Sequence, residues 1–303
     1  MSGHPAGAAE GPSPQRLYSL ISAMVLFWAL NFLIGKIALR EFPPLLLAGL
    51  RTSLAGVLIL PLFFWQRRVA PEKTSWKREE LPLLLFLGLA GVALNQLFFI
   101  AGLSRTSVAH SAILLGMTPI LVLVLSAAGG QERISPGRAA GMLLALAGVA
   151  VLNSAPTRSG GATLAGDLLT LAGAFTFAVL TVAGKRATAS HGAVMVNTFA
   201  YVGGGLALSP LTLWEASRLS LAAISLKAWA CLLYMALFPS LVCYLIFYYV
   251  LTHLPASRVS AFSYLQPLIA TTAGALILKE QITATLISGG ALVFAGVFIT
   301  ERA

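Results

Sequence analysis

Charged side chains are scarce in this sequence. They make up 10% of its 303 residues, while 58% are hydrophobic. A soluble domain carries about 25% charged and about 45–50% apolar residues, so this chain has too few charges to solvate the outside of a soluble globule of its size. Cysteine is nearly missing. Cys231 and Cys243 are the only two, 12 positions apart in one apolar run. On a helix that separation is about 18 Å, too far for a disulfide, so both are expected as free thiols. Histidines stand far apart at His4, His110, His191 and His253. No Cys/His cluster has metal-ligand spacing, and no Ser/His/Asp set suggests a hydrolase. No metal and no cofactor are expected.

What fills the chain instead is long runs without charge. Residues 17–35, 81–104, 139–157, 168–184, 259–278 and 281–300 carry none, and 228–257 carries only His253. About 20 apolar residues at 1.5 Å rise cross a hydrocarbon core of about 30 Å. Backbone in lipid must satisfy its own hydrogen bonds, so these runs are helices. The pattern predicts an all-α integral membrane protein with ten spans: 17–37, 44–66, 81–103, 106–128, 136–156, 164–185, 193–214, 228–250, 256–278 and 282–301. The first run is longer than the apolar core of a signal peptide and lacks a cleavage-site pattern. Residues 1–16, rich in Gly, Pro, Ala and Ser, read as a disordered tail.

The formal net charge of +10 does not point to nucleic acid, because no basic soluble domain holds it. The charges sit in short loops, where they orient the helices. With the N-terminus inside, twelve Lys and Arg fall on the inner side, five of them in the 66–80 loop, and seven on the outer side. Both termini are therefore expected in the cytoplasm, with the lipid bilayer as the surrounding partner.

The chain also repeats itself. Shifted by 148, residues 102–152 lie on 250–300 with ten of 51 identical, among them Pro119/Pro267, Glu132/Glu280, Gly141/Gly289 and the Ala147-Gly148-Val149 triple on Ala295-Gly296-Val297. Shifted by 149, residues 28–65 lie on 177–214 with eight of 38 identical, including Gly35/Gly184, Lys36/Lys185, Gly56/Gly205, Pro61/Pro210 and Trp65/Trp214. Leu and Ala coincide often between membrane helices; Gly, Pro, Trp, Lys and Glu do not. Each half, 17–156 and 164–302, holds five expected spans. Five is odd, so the second half must enter the membrane upside down, giving two inverted-topology five-helix repeats.

These same residues carry a family resemblance. A ten-helix chain with Pro119…Glu132…Gly141 and Pro267…Glu280…Gly289, each running into Ala-Gly-Val, resembles the drug/metabolite transporter superfamily, EamA type. Trp28, Asn31 and Lys36 in the first span and Arg51 in the second resemble that family too. The resemblance implies ten helices, cytoplasmic termini and a central cavity in a bacterial inner membrane. It also implies export of small metabolites, often amino acids and related compounds, with the third helix lining the path.

Several residues stand out for such work. Pro119 and Pro267 interrupt the fourth and ninth spans near mid-bilayer, beside Thr118 and Gln266; each either frees a backbone carbonyl for a site or simply kinks its helix. Asn95 and Gln96, followed by Phe99, place two amides mid-span, where an unpartnered amide is costly; they either glue helices together or face a cavity. Trp28 and Asn31 share a helix face, as a substrate grip or as packing. Tyr244 and Tyr264 either line the cavity or pack. Arg51 lies about 10 Å into its span, either snorkelling or meeting a substrate carboxylate. Glu132 and Glu280 precede helix starts and suit capping or gate ion pairs more than substrate contact.

No Asp or Glu lies deep in a span, since Asp167 and Glu301 stand at the ends. That speaks against polycationic substrates. The coupling mode stays open between facilitated diffusion and proton coupling through His110 or a water-linked group. The expectation is a secondary transporter of small zwitterionic or neutral molecules, an exporter working by alternating access. The rivals are an intramembrane enzyme and a passive channel. A monomer and a homodimer are both compatible with the sequence.

Overall fold

The computed structural model describes residues 12–106, 111, 114–152, 154, 163–269, 272 and 284–303. Expectations for His110, Glu280 and the first eleven residues of the tail lie outside this set. Among the described residues the chain is helical, with no strand. Helix α1 is Pro14–Ala38, α2 Pro44–Val69, α3 Arg78–Arg105, α6 Leu164–Ser190, α7 Ala193–Ala216 and α8 Leu226–Leu251; these six are long and apolar enough to cross a membrane. The other expected spans contain α4 (Thr118–Ala128), α5 (Pro136–Leu152), α9 (Ala256–Ala261) and α10 (Ala284–Arg302). After Ala261 the chain continues through a 3-10 turn, Phe262–Tyr264, into helical residues 265–269.

Local sequence sets the helix ends. Ser13 accepts the Arg16 amide ahead of Pro14, Thr163 accepts the Gly166 amide, and Ser225 accepts the Ala228 amide. Each side chain satisfies a backbone donor that the first turn leaves open. The outer surface is apolar, with Leu33, Val57, Phe64, Trp65, Leu89, Leu206 and Phe294 exposed. Lipid solvates such a surface as well as a protein interior would, so association must come from close packing and interhelical hydrogen bonds.

Glycine supplies the packing. A Cβ on Gly148 would lie 2.7 Å from the Val293 nitrogen and 2.8 Å from the Gly289 oxygen; one on Gly296 would lie 2.4 Å from the Ala145 nitrogen and 2.5 Å from the Gly141 oxygen. These contacts are reciprocal at an offset of 148. The recurring Ala-Gly-Val phrases are the two faces of one crossing, where α5 and α10 pack backbone to backbone. Helices α2 and α7 meet in the same manner: Gly49 faces Thr212, Gly205 faces Ser53, and Gly56 faces Tyr201. As residue numbers rise on one helix they fall on its partner, in both pairs. Each pair consists of repeat mates running antiparallel, so the second repeat is the first turned over.

The offset holds for irregular features as well. A π-helical segment, Leu87–Ala93, interrupts α3, and another, Ala236–Val242, interrupts α8. They lie 149 residues apart at both ends. Lys36 Nζ donates to the Thr106 carbonyl at 2.8 Å, and Lys185 Nζ donates to the Leu254 carbonyl at 2.5 Å and to Leu251 at 3.0 Å. Thr106 and Leu254 are also repeat mates.

The two faces of the molecule differ in their polar ties. On the face that holds both termini, Glu132 accepts from the Ser257 amide at 3.2 Å and from its hydroxyl, and pairs with Arg138 at 3.2 Å. Glu132 thus caps α9 of the other repeat. There Arg186 also reaches the Gly129 carbonyl at 2.8 Å, and His191 meets Glu80 at 3.2 Å. On the opposite face, Phe42 and Trp229, the repeat mates of that His–Glu pair, form an edge-on aromatic contact 5.2 Å between centroids. Glu41 there accepts both the amide and the hydroxyl of Ser225 at 2.7 Å.

Candidate functional site

The π segment of α8 begins the site. Pro239 has no N–H, so the Met235 carbonyl loses its i+4 donor. The Ser240 hydroxyl replaces it, donating to Met235 at 3.0 Å. Two further carbonyls of the segment take side-chain donors from other helices: Trp28 Nε1 reaches Pro239 at 3.0 Å, and Asn197 Nδ2 reaches Leu241 at 3.4 Å. Ser240, its proton spent on Met235, accepts from Arg51 Nε at 2.8 Å. A residue of α2 is thereby fixed to α8, across the two repeats. π-segments recur at functional sites, and this one orients the guanidinium.

Arg51 is 2% exposed, so it does not snorkel to the surface. Its neighbours include the hydroxyl groups of Tyr201, Tyr234 and Tyr244 and the Cys243 thiol, none of which ordinarily ionises at neutral pH. It faces a cavity of about 110 Å³, room for several waters.

The cavity wall draws on both repeats. From the first come Trp28, Asn31 and Phe32 of α1, Arg51, then Asn95, Gln96 and Phe99 of α3. Leu115, Gly116 and Thr118 close that side; Phe177 of α6, Tyr244 of α8, and Ser263, Gln266 and Pro267 beyond α9 form the other. Four pairs of these are repeat mates: Trp28 with Phe177, Asn95 with Tyr244, Leu115 with Ser263, and Thr118 with Gln266. Arg51 breaks the symmetry, since its mate is Ala200.

Nine of the substrate contacts expected from sequence share this wall: Trp28, Asn31, Asn95, Gln96, Phe99, Thr118, Tyr244, Gln266 and Pro267, with Arg51 beside them. Two stand elsewhere. Tyr264 is buried in a separate cluster with Leu123, Met142, Val149 and Val293, behind the wall. Pro119 sits with Thr118 in the first turn of α4, after a turn at 116–117. It starts a helix where no amide donor is needed instead of kinking one.

Roles differ in detail as well. Trp28 spends its indole N–H on Pro239 and offers ring surface only, stacked edge-on with Phe177 and Tyr244. Asn95 Nδ2 binds the Gly173 carbonyl at 2.9 Å and joins α3 to α6. Gln96 Nε2 reaches the Tyr201 hydroxyl at 3.4 Å. Glu132 caps α9 as described above and takes no part in the wall.

Sequence reasoning passed over Ser240, Phe32 and Phe177, and marked Ser263 only for the backbone carbonyl that Pro267 frees, not for its hydroxyl. Phe177 could have been found as the mate of Trp28. The Ser263 hydroxyl could have been found from its three-residue spacing to Gln266, and Ser240 from a proline–serine step inside the longest charge-free run.

Four cavity-lining residues carry a buried polar atom without a partner among the described residues: Asn31 Oδ1, Arg51 Nη1, Gln96 Oε1 and Ser263 Oγ. Each costs about 1–3 kcal/mol if left dry, so water or a ligand must occupy the space. No group of three or more metal-ligating side chains occurs among the described residues.

Comparison with known proteins agrees in kind. The model of the EamA-like transporter family matches the chain twice, over residues 15–154 and 164–302. YetK of Bacillus subtilis (strain 168), an uncharacterized transporter, is 30% identical over 285 residues, covering 93% of this chain and 85% of its own. A probable amino-acid metabolite efflux pump of Salmonella typhimurium (strain LT2) is 29% identical over 285 residues, covering 91% of each chain. A solved crystal structure shares the fold with a TM-score of 0.77 at 18% identity, over 96% of this chain and 98% of that one.

Proposed function

Because the chain belongs to the EamA-like transporter family, we propose that it exports small zwitterionic or neutral metabolites, amino acids among them, by alternating access. The observation that carries this reading is the cavity built from repeat mates. A pocket that lies between two inverted halves can open to one side or the other when the halves exchange shapes. Its wall combines aromatic and apolar surface with convergent polar atoms, as small-molecule sites do. The Salmonella relative's name points to the same class of cargo. The twelve-to-seven split of basic residues favours both termini in the cytoplasm of a bacterial cell, with the protein in the inner membrane.

The test is counterflow in proteoliposomes. Vesicles loaded with an unlabelled amino acid should accelerate entry of the labelled one, and the flux should saturate. A passive channel gives linear flux that ignores the far side. A screen of the common amino acids and simple amines identifies the cargo.

A further inference from the structure

We propose that the cavity reads a free α-amino acid at two separate places: its carboxylate at Arg51 Nη1, and its ammonium at Asn31 Oδ1, Gln96 Oε1 and Ser263 Oγ. This deepens the export reading above and rests on it for the identity of the cavity.

The inference comes from counting what the wall leaves unpaired. Arg51, Asn31 and Gln96 are 2%, 5% and 2% exposed, and the named atom of each has no partner among the described residues. Ser263 Oγ is buried and has no partner among the described residues either. The remaining donors of these side chains are partly committed: Arg51 Nε to Ser240 and Gln96 Nε2 to Tyr201. What remains is one cationic donor, two amide oxygens that only accept, and one hydroxyl that can accept or donate. An α-amino acid is the complement of that set, with one anionic acceptor group and one ammonium carrying three N–H donors.

Charge narrows the class. Among the described residues the wall has one cation and no carboxylate. A bare amine would add a second positive charge beside Arg51 with nothing to offset it, in a low-dielectric site where like charges are costly. A simple carboxylate would satisfy Arg51 but leave the amide oxygens of Asn31 and Gln96 dry. A zwitterion neutralises Arg51 and brings its own cation to the acceptors. Its side chain then lies against Trp28, Phe32, Phe99 and Phe177. The indole N–H of Trp28 is already given to Pro239, so that wall offers ring faces, suited to an apolar or aromatic side chain. Because Arg51 is matched by Ala200 in the other repeat, only one orientation along the pseudo-twofold is favoured.

Ser263 is the residue this assigns newly, as a specificity determinant. The experiment is a binding titration of the full-length purified protein, followed by intrinsic tryptophan fluorescence. The probes are L-leucine, L-phenylalanine, their carboxamides, their N-acetyl derivatives, and the amines and carboxylic acids that lack one group. At least one of the two amino acids is expected to bind, and loss of either charged group to weaken binding by about tenfold to a hundredfold, the worth of a hydrogen bond to a charge. Arg51→Gln should bring the amino acid down to the affinity of its amide. Ser263→Ala should weaken the amino acid and its amide alike and leave the carboxylic acid unchanged.

Amides or simple acids binding as tightly as the amino acid would overturn the proposal. So would an unaltered ranking in both variants, or failure of every probe to bind. If Arg51→Gln does not fold, Arg51→Lys and Ser263→Ala carry the same comparison. Transport is scored separately in vesicles. Discrimination without transport removes the export reading and leaves the two-point site; transport without discrimination does the reverse.

Discussion

Trp28 and Phe177 touch, ring edge to ring face, with centroids 5.8 Å apart and planes at 84°. They are the same position in two copies of one module. Symmetry mates that contact each other must lie beside the axis relating them. The aromatic floor of the cavity therefore marks the pseudo-twofold, and Arg51 hangs to one side of it.

Trp28→Phe makes the two positions identical. The ring surface stays and the hydrogen bond to Pro239 goes, a loss of about 1 kcal/mol. The variant should fold with a thermal midpoint slightly below wild type and keep measurable uptake. Trp28→Ala removes the ring as well and should abolish uptake while still yielding folded protein. Thermal unfolding in detergent and vesicle uptake, run side by side, check both.

At the α5–α10 crossing there is no room for a side chain. Gly148→Val or Gly296→Val drives a branched group into opposing backbone at under 3 Å. Overpacking of that kind costs about 1–3 kcal/mol, or more where backbone must shift. Each should lower the thermal midpoint by several degrees, whereas Leu143→Val, at a lipid-facing position, should not.

The two lysines tie the connections that follow α3 and α8. Lys36→Met should raise amide exchange around residues 102–106, and Lys185→Met around 250–255. Hydrogen exchange followed by mass spectrometry reads both regions in one experiment. Equal effects of each variant at both regions would show that the ties are not local.

Much of this was legible in the sequence, for physical reasons. Gly148, Gly296, Lys36 and Lys185 betray the duplication because a crossing backbone or a half-buried ammonium tied to loop carbonyls tolerates few alternatives. Asn95, Gln96 and Arg51 advertise themselves because hydrocarbon penalises polar groups. The π segments did not show. Leu87–Ala93 has only Gly88 and Gly91 to mark it, and hydrophobic periodicity cannot register one extra residue in an apolar helix. Tyr264 misled because an aromatic beside Pro267 looks the same whether it faces the cavity or the cluster behind it.

Glu41 gives a pH signature. The hydroxyl and amide of Ser225 hold its carboxyl below the ordinary glutamate value of 4.5. A carboxyl lowered by folding contributes stability that is complete above that value and disappears as pH falls through the lower folded one. The gap in thermal midpoint between wild type and Glu41→Gln should therefore be constant near neutrality and close below about pH 4.5. Glu41 is exposed, so the gap should be small at high salt.

The most direct test concerns the termini face, where Glu132 joins the first repeat to Ser257 of the second. Cysteines at these two positions, in a Cys231→Ser, Cys243→Ala background, can be bridged by a short bifunctional methanethiosulfonate. Alternating access requires that contact to part once in every cycle. Bridged protein should bind substrate and carry out no counterflow, and a reductant should restore it. Full counterflow with the bridge intact would contradict the exchange of shapes between the two repeats.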